Sequence, residues 1–253
     1  MNETDPTTAV CERLDWDSAF FGHRIARFRK PRCLREDAAA LLDECATQGI
    51  DCAYILADTA DTESIAVLQE TRAYLADVRV TFGTRLDGSH DEPVTSVVRR
   101  AVDADIPELM RIASVSHRDT RFYADHRFDR ARCNHLYEVW IENSCRGYAD
   151  AVFVADGDNG QPSGYVTCHK DDSGRGHIGL FAVDRRAQGR GYGKALLNAA
   201  ATWFGTNGVS EMTVATQLRN VRTLQFYTGA GLLIRSVGFW FHLWPADRVG
   251  DNT

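Results

Sequence analysis

The chain has 253 residues, which is more than one average domain of roughly 150 residues and fewer than two. Hydrophobic residues make up 44% and charged residues 25%, a globular composition that excludes a disordered or collagen-like chain. The formal net charge of −6 argues against a general nucleic-acid binder, and the apolar runs are shorter than the ~20 residues that span a membrane. Residues 1–12 are polar and acidic and do not resemble a signal peptide, so we expect a cytoplasmic protein.

The cysteines and histidines have no spacing typical of a disulfide framework or a metal site. The seven cysteines are odd in number and scattered, without a CxxC pair, and no HExxH motif occurs among His117, His126 and His135. We therefore expect no metal and no disulfide framework. Most cysteines are expected to be small buried residues in a reducing compartment.

The first third of the chain predicts a small α/β lobe. A strand ends at Phe28, and apolar residues with helical spacing follow at positions 38, 41, 42, 45 and 46. Residues 52–57 predict a strand, 61–72 a helix with Ile65 and Leu68 facing inward, and 78–82 an alternating strand. The polar, turn-rich stretch 86–93 is typical of a linker. We expect an N-terminal lobe over residues 1–93 that ends there.

Residues 94–245 predict a larger domain, followed by a polar tail at 246–253. Residues 94–100 begin it as a strand, and Asp103 or Asp105 caps a helix with Ile106 and Leu109 on its apolar face. A longer helix covers 129–143. Strands follow at 151–154, 164–169 and 177–183, then a helix over 191–204, a strand over 212–216, a helix over 220–229 and a strand over 236–243. Consecutive strands followed by helix-connected strands predict a mixed sheet.

The most informative feature is a glycine-rich turn at residues 188–194, Gln-Gly-Arg-Gly-Tyr-Gly-Lys, between a strand and a helix. Alternating glycines let a ligand approach the backbone, and the next helix directs its free N–H groups and positive dipole end to that spot. Arg185, Arg186, Arg190 and Lys194 add positive charge. The turn therefore predicts a phosphate or pyrophosphate site.

Three other interpretations of this turn compete. A P-loop requires a glycine where Gln188 stands and a serine or threonine where Ala195 stands, so it is rejected. A dinucleotide-binding turn requires its third glycine one residue later, although Glu211 lies near the position of the ribose-binding acid. A tight turn that only packs strand against helix is the third interpretation, and the turn alone does not exclude it.

The turn and its flanks resemble a known superfamily. Gln188, Gly191 and Gly193 resemble the acyl-CoA signature of the GNAT superfamily of N-acetyltransferases, and the segment from Asn220 to Tyr227 is similar to its later helix. A narrower resemblance covers nearly the full chain: residues 14–22, 120–122, 139–147 and 214–220 are similar to segments of the TDP-fucosamine acetyltransferase family. The resemblance implies a GNAT fold of the α/β (α+β) class, in which helices flank a mixed central sheet. It also implies that the N-terminal lobe lies on the acceptor side.

The resemblance implies acetyl-CoA as the co-substrate and assigns its binding to three places. Backbone groups of Phe181, Ala182 and Val183 would hold pantetheine and the acetyl carbonyl. The pyrophosphate would lie on the turn, formed by Gln188, Gly189, Arg190, Gly191, Tyr192, Gly193 and Lys194. Asn220 would either contact pantetheine or cap its helix.

The resemblance also implies an acid and a base. Tyr227 would donate a proton to the sulfur of CoA, since a phenol with a pKa of ~10 is protonated at neutral pH. Packing beside Phe226 is the alternative for this ring. Asp77 stands at the position of the family's glutamate base. Its side chain is shorter than glutamate, so it would act through water. Rival bases are His117, Asp119, Glu142 and His242.

Substrate contacts are expected from Arg121 and Phe122, because arginine pairs with phosphate and aromatic rings pack on sugar faces. We therefore expect an acetyl-CoA-dependent N-acetyltransferase that acts by direct attack in a ternary complex. Its acceptor would be the primary amine of a small molecule, foremost a nucleotide-linked amino sugar. A homodimer is expected, without nucleic-acid or membrane partners. The alternatives are a GNAT enzyme that acetylates a protein N-terminus, a lysine or another small amine, and a non-catalytic acyl-CoA-binding module.

Overall fold

The computed structural model describes residues 9–86, 97–158, 160–171 and 173–248, which divide between two compact units. The first unit takes its described residues from Met1–Arg79, Thr120–Arg132 and Ser236–Thr253, and the second from Val80–Asp119 and Cys133–Arg235. Each unit therefore combines separate stretches of the chain. Except for Leu86, the predicted linker at 86–93 lies outside the described residues, and so does the part of the predicted tail after Arg248.

Ten strands and eight α-helices occur in the described part of the chain. In chain order they are β1 (Cys11–Arg13), α1 (Asp15–Phe21), β2 (Ile25–Phe28), α2 (Arg35–Gln48), β3 (Cys52–Asp58), α3 (Thr62–Glu70), β4 (Tyr74–Arg85), β5 (Val98–Arg100), α4 (Ile106–Ser116), α5 (Arg121–Ala124), α6 (Arg130–Asn143), β6 (Ala151–Asp156), β7 (Pro162–Lys170), β8 (Gly176–Val183), α7 (Tyr192–Thr206), β9 (Glu211–Gln217), α8 (Val221–Gly229) and β10 (Leu233–Leu243).

The predicted elements are confirmed, with shifts of a few residues at their ends. Every predicted helix and strand has a counterpart, and the mixed α/β class is confirmed by parallel and antiparallel strand pairs in each unit. β4 is longer than predicted. Of the predicted strand over residues 94–100, residues 94–96 lie outside the described part of the chain, and β5 covers Val98–Arg100. Three short elements were not predicted, namely β1, α1 and α5, which are three, seven and four residues long.

In the first unit, β1, β2, β3 and β10 follow one another across the sheet. β2 and β3 are parallel, whereas β1 with β2 and β10 with β3 are antiparallel. One face of these strands packs its apolar residues with those of α2 and α3, including Leu41, Ile55, Leu68 and Phe241. The opposite face carries the polar and aromatic residues described below.

In the second unit, β9, β8, β7, β6 and β5 follow one another across the sheet. β8 and β9 are parallel and the other pairs are antiparallel. α4 and α7 pack on the central strands, and their fully buried residues include Leu109, Ile112, Leu196, Ala200 and Phe204. This packing fixes the position of the glycine-rich turn, which joins β8 to α7.

Burial of the cysteines agrees with their prediction as small core residues. Cys145 is half-buried, whereas the other six are buried, and all seven are free thiols. Within the described ranges, no helix is long and apolar enough to cross a membrane.

We expect Gly176→Ala to lower the free energy of unfolding by about 1–3 kcal/mol, because the added methyl group overpacks the core of the second unit. Its Cβ would lie 2.5 Å from the ring of Phe204 and 3.0 Å from Val209. Denaturant unfolding measures the change. Gly205→Ala is the matched control, since a Cβ there meets nothing within 4 Å and a helix favours alanine over glycine. Equal stability of the two variants would contradict the packing argument.

Candidate active site

A β-bulge interrupts β8 before the glycine-rich turn. Val166 of β7 pairs with Phe181 of β8, and Cys168 pairs with Ile178, so two β8 residues stand opposite Thr167 alone. The Thr167 hydroxyl accepts a hydrogen bond from the Leu180 N–H at 2.8 Å, which satisfies one backbone group of the bulge. A bulge bends its strand and can end pairing with a neighbour.

The ladder between β8 and β9 ends at this bulge. Its pairs run from Gly176 with Met212 to Ile178 with Val214, although β8 continues to Val183. The N–H groups of Leu180 and Asp184 face β7, where they bond Thr167 and Ser163. Because successive residues of a strand turn their backbone groups to opposite edges, the N–H groups of Phe181 and Val183 face the edge that the ladder has left. The bulge thus leaves backbone donors and acceptors on an open strand edge.

The glycine-rich turn places the start of α7 next to this edge. Gly189 and Gly191 have φ angles of 80° and 88°, in the left-handed region that favours glycine, and a Cβ on either would meet nothing within 4 Å. Gly191 caps α7 without a side-chain hydrogen bond, and the first helical bond is donated by Ala195. The N–H groups of Tyr192 and Gly193 precede this first helical bond and belong to the anion-binding end of the helix.

Side chains of the turn are tied to the fold at two points. The Gln188 amide donates to the Val183 carbonyl at 3.0 Å, which anchors the turn to the end of β8. The Arg190 guanidinium forms an exposed ion pair with Asp158 at 2.7 Å, and the Tyr192 hydroxyl donates to the same carboxylate at 3.3 Å. Such an exposed pair is weak, so Arg190 can exchange Asp158 for a phosphate at small cost.

Tyr227 is buried beside the open edge of β8. Its ring packs against Phe181 at 6.2 Å, Phe82 at 5.5 Å and Phe226 at 5.3 Å. Burial raises the pKa of the Tyr227 phenol well above its usual value. Phe226 also lies 3.3 Å from the position that a Cβ on Gly193 would take, and its ring stacks on that of Phe181. These two phenylalanines therefore contact the start of α7, the open edge and Tyr227.

Asn220 caps α8, which was one of its two predicted roles. Its side-chain oxygen accepts a hydrogen bond from the Thr223 N–H at 3.2 Å. This bond uses only the carbonyl oxygen of the amide, and it fixes the start of the helix that carries Tyr227.

Asp77 lies on β4 in the first unit and is 3% exposed, so it is not a solvated residue at a strand edge. Its Oδ1 accepts from the Val78 N–H at 2.9 Å. Among the rival bases, Glu142 is paired with Arg146 at 2.9 Å, and Asp119 is exposed. His117 donates or accepts a bond with Tyr165 at 2.8 Å, and burial lowers its pKa to about 4.

Arg121 and Phe122 begin α5 in the first unit. The Phe122 ring is buried and packs on Phe21 and Phe128, at 5.2 Å and 5.6 Å, so it can support Arg121 but offers no open face. The Arg121 Nη1 lies 3.0 Å from Nε2 of His242, whose Nδ1 lies 2.8 Å from the buried carboxylate of Asp125. Asp125 was not predicted as a functional residue, since no motif or spacing near it in the sequence indicates one.

No group of three or more His, Cys, Asp or Glu side chains that could hold a metal ion occurs among the described residues. The candidate site therefore consists of backbone donors, a phenol and an anion-binding helix end in the second unit. In the first unit, Arg121 contacts the buried His242, which in turn contacts the buried Asp125.

Comparisons with known proteins found several relatives of this chain. Residues 109–232 match the acetyltransferase (GNAT) family. The dTDP-fucosamine acetyltransferase of Escherichia coli is 30% identical over 239 residues, which cover 94% of this chain and 99% of that protein. The spore coat polysaccharide biosynthesis protein SpsD of Bacillus subtilis is 27% identical over 146 residues, which cover 57% of this chain and 50% of that protein.

Solved structures share the fold at low sequence identity. A conserved protein of unknown function from Staphylococcus epidermidis has a TM-score of 0.65 and 10% identity, covering 96% of this chain and 94% of its own. A GCN5-related N-acetyltransferase from Sphaerobacter thermophilus has a TM-score of 0.61 and 14% identity, covering 92% of this chain and 75% of its own. The family match and the E. coli relative, which matches almost from end to end, show that the chain belongs to the GNAT family of acetyltransferases and is an N-acyltransferase.

Proposed function

We propose that the protein transfers the acetyl group of acetyl-CoA to the primary amine of a nucleotide-linked amino sugar. The observation that carries the donor half of this proposal is the bulged end of β8, whose open edge lies beside both Tyr227 and the start of α7. The acceptor half is supported by the name of the E. coli relative, dTDP-fucosamine acetyltransferase.

The second unit fits acetyl-CoA in three respects. The N–H groups and positive dipole end at the start of α7 suit the pyrophosphate, and the open space at Gly189 and Gly191 admits it close to the backbone. The open edge of β8 offers donors and acceptors for the amides of pantetheine. The buried phenol of Tyr227 lies where that edge begins, next to Phe181.

The chemistry follows from these groups. The amine nitrogen forms a bond to the acetyl carbonyl carbon as the bond from that carbon to sulfur breaks. The N–H groups of Phe181 and Val183 are the available donors for the carbonyl oxygen as negative charge develops on it. Tyr227 donates its proton to the departing thiolate, and the attacking amine gives up its proton to a base.

A CoA-release assay with a panel of amines tests this function. The panel contains TDP- and UDP-linked amino sugars, polyamines, aminoglycosides and peptides with free N-termini or lysines. We expect release with a nucleotide-linked amino sugar at a rate well above that with the other amines. Preferential turnover of peptides would instead favour the protein-acetylating alternative. Binding of acetyl-CoA without turnover of any amine would favour the non-catalytic module.

We propose Asp77 as the base, acting through a water molecule, and expect Asp77→Asn to lower kcat/KM for the acceptor by about tenfold to a hundredfold. The asparagine has a similar shape in this buried position but cannot accept the proton. Asp77→Glu is expected to keep most of the activity, because it restores the longer acid that the resemblance implies. Asp51→Asn is the control, since Asp51 is a surface residue near Arg24. Full activity of Asp77→Asn across the pH range would exclude this role.

A further inference from the structure

A row of three side chains crosses the sheet of the first unit. Arg27 of β2 pairs with Tyr54 of β3, and Tyr54 pairs with His242 of β10. Residues directly opposite one another on paired strands point to the same face of the sheet. Their chain neighbours Ala26, Ala53 and Phe241 belong to the core with α2 and α3, so the row lies on the other face.

Arg121 is held above this row. Its guanidinium carbon lies 3.9 Å from the centre of the Tyr54 ring and 4.6 Å from that of Trp240, and its Nη1 lies 3.0 Å from Nε2 of His242. A guanidinium only donates hydrogen bonds, so Nε2 accepts, and the ring proton of His242 is on Nδ1. The ring contacts and the hydrogen bond therefore hold the guanidinium in place.

The His242 ring is fixed in turn by Asp125. Nδ1 donates to Oδ2 of Asp125 at 2.8 Å, and the same oxygen accepts from Nε1 of Trp244 at 2.8 Å. Both His242 and Asp125 are fully buried. Burial lowers the pKa of His242 to about 4, so the ring is neutral at physiological pH and keeps its acceptor nitrogen towards Arg121.

Two further arginines carry their charge near Arg121. Arg79 is a partly buried residue of β4, the strand that follows β10 in the sheet. Burial lowers the pKa of its guanidinium, and the positive charges of Arg121 and Arg27 lower that pKa further. The carboxylate of Asp17 is also nearby. Burial raises its pKa, and the positive charges of Arg121 and Arg27 oppose this rise. Arg79 and Arg121 are partly buried and Arg27 is exposed, and three cations close together are unfavourable unless an anion joins them.

Two buried hydroxyl groups beside Arg121 have no hydrogen-bond partner among the residues that the structure describes. They belong to Tyr54, whose ring lies under the guanidinium, and to Thr120, the residue before Arg121. Buried hydroxyl groups are rarely left without a partner, so these two point to a polar ligand that is bound during function. Both are able to donate to a phosphate oxygen.

We propose that Arg27, Arg79 and Arg121 form a binding site for a diphosphate group, and that His242 and Asp125 are positioning residues that hold Arg121 in it. This inference rests on the proposed function, because the diphosphate would belong to the nucleotide-linked acceptor. A guanidinium that is already oriented loses little entropy when it binds, and two more arginines match the charge of a diphosphate.

Calorimetric titrations of the full chain, saturated with CoA so that the start of α7 is filled, test the site with pyrophosphate, TDP and thymidine. We expect TDP and pyrophosphate to bind and thymidine to bind much more weakly. Arg121→Ala is expected to weaken TDP about tenfold or more, and Arg27→Ala and Arg79→Ala several-fold each. Arg35→Ala, which removes an exposed cation paired with Glu70 in the same unit, is the control and should change nothing.

The positioning role is tested at His242. His242→Gln should keep TDP affinity within about threefold, since its amide can accept from Arg121 and donate to Asp125, whereas His242→Leu should match Arg121→Ala. In turnover assays, Arg121→Ala should raise the KM for the acceptor far more than it lowers kcat, with unchanged affinity for acetyl-CoA. That last measurement also shows that each variant is folded.

Three outcomes would overturn the proposal: no binding of pyrophosphate or TDP, equal binding by the wild type and Arg121→Ala, or equal weakening by Arg35→Ala. The outcomes also separate this site from the proposed function. Arginine-dependent TDP binding without CoA release from any amine would leave the site standing and remove the enzyme's proposed acceptor. Acetylation of nucleotide-linked amino sugars that is unchanged when the three arginines are replaced would support the proposed function and exclude the arginine site.

Discussion

Tyr227→Phe is expected to lower kcat/KM by about a hundredfold to a thousandfold while the affinity for acetyl-CoA stays the same. The phenylalanine keeps the ring contacts with Phe82, Phe181 and Phe226, so the fold around the open edge of β8 is preserved. Only the hydroxyl group is lost, so no phenol proton is available and the thiolate of CoA must leave unprotonated. Steady-state kinetics with the acceptor found in the screen, together with calorimetric titration of acetyl-CoA, measures the two quantities.

The pH dependence provides a second test of Tyr227. Burial raises the pKa of its phenol above the ordinary value, so the proton is retained at every pH up to about 10. Any alkaline loss of activity below that pH must come from another group and should persist in Tyr227→Phe. Tyr165→Phe is the control, because Tyr165 is also fully buried in the second unit and bonds His117 instead. Full activity of Tyr227→Phe would show that the phenol is a packing residue.

The donor half of the site could be predicted because its residues are close together in the sequence. The glycine-rich turn, the strand before it and the helix after it lie within residues 176–206. The bulge at Thr167 was missed, although Gly179 inside a strand pattern is a signal for one. A Cβ at Gly179 would lie 2.9 Å from the Thr167 hydroxyl, so glycine is required at this point.

Apart from Arg121, the proposed arginine site could not be predicted from local patterns. Asp125 and His242 are 117 residues apart, and they meet only because β10 pairs with β3 and α5 lies near the row formed by Arg27, Tyr54 and His242. His242 was considered as a possible base. In the structure its acceptor nitrogen, Nε2, is instead occupied by the hydrogen bond from Arg121. Tertiary pairing thus gives this histidine a role that its neighbours in the chain do not indicate.

Gly191→Val is expected to weaken the binding of acetyl-CoA by about a hundredfold or more. Gly191 has a φ of 88° at the N-cap of α7, and the space around a Cβ there is open in the structure. A branched side chain would occupy the space through which the pyrophosphate reaches the N–H groups of residues 192–194. Valine also resists this backbone angle, at a cost of about 1–3 kcal/mol, which would shift the start of the helix.

Gly208→Val separates the two effects. Gly208 follows the other end of α7, has a φ of 77° and also has open space around its Cβ, so the same substitution strains the backbone there without touching the turn. Both variants should lose a similar amount of stability in denaturant unfolding, while only Gly191→Val loses acetyl-CoA in a calorimetric titration. Gly191→Ala should fall between wild type and Gly191→Val, because its single methyl group blocks less of the approach. Unchanged affinity in Gly191→Val would mean that the pyrophosphate binds elsewhere and that the turn only packs strand against helix.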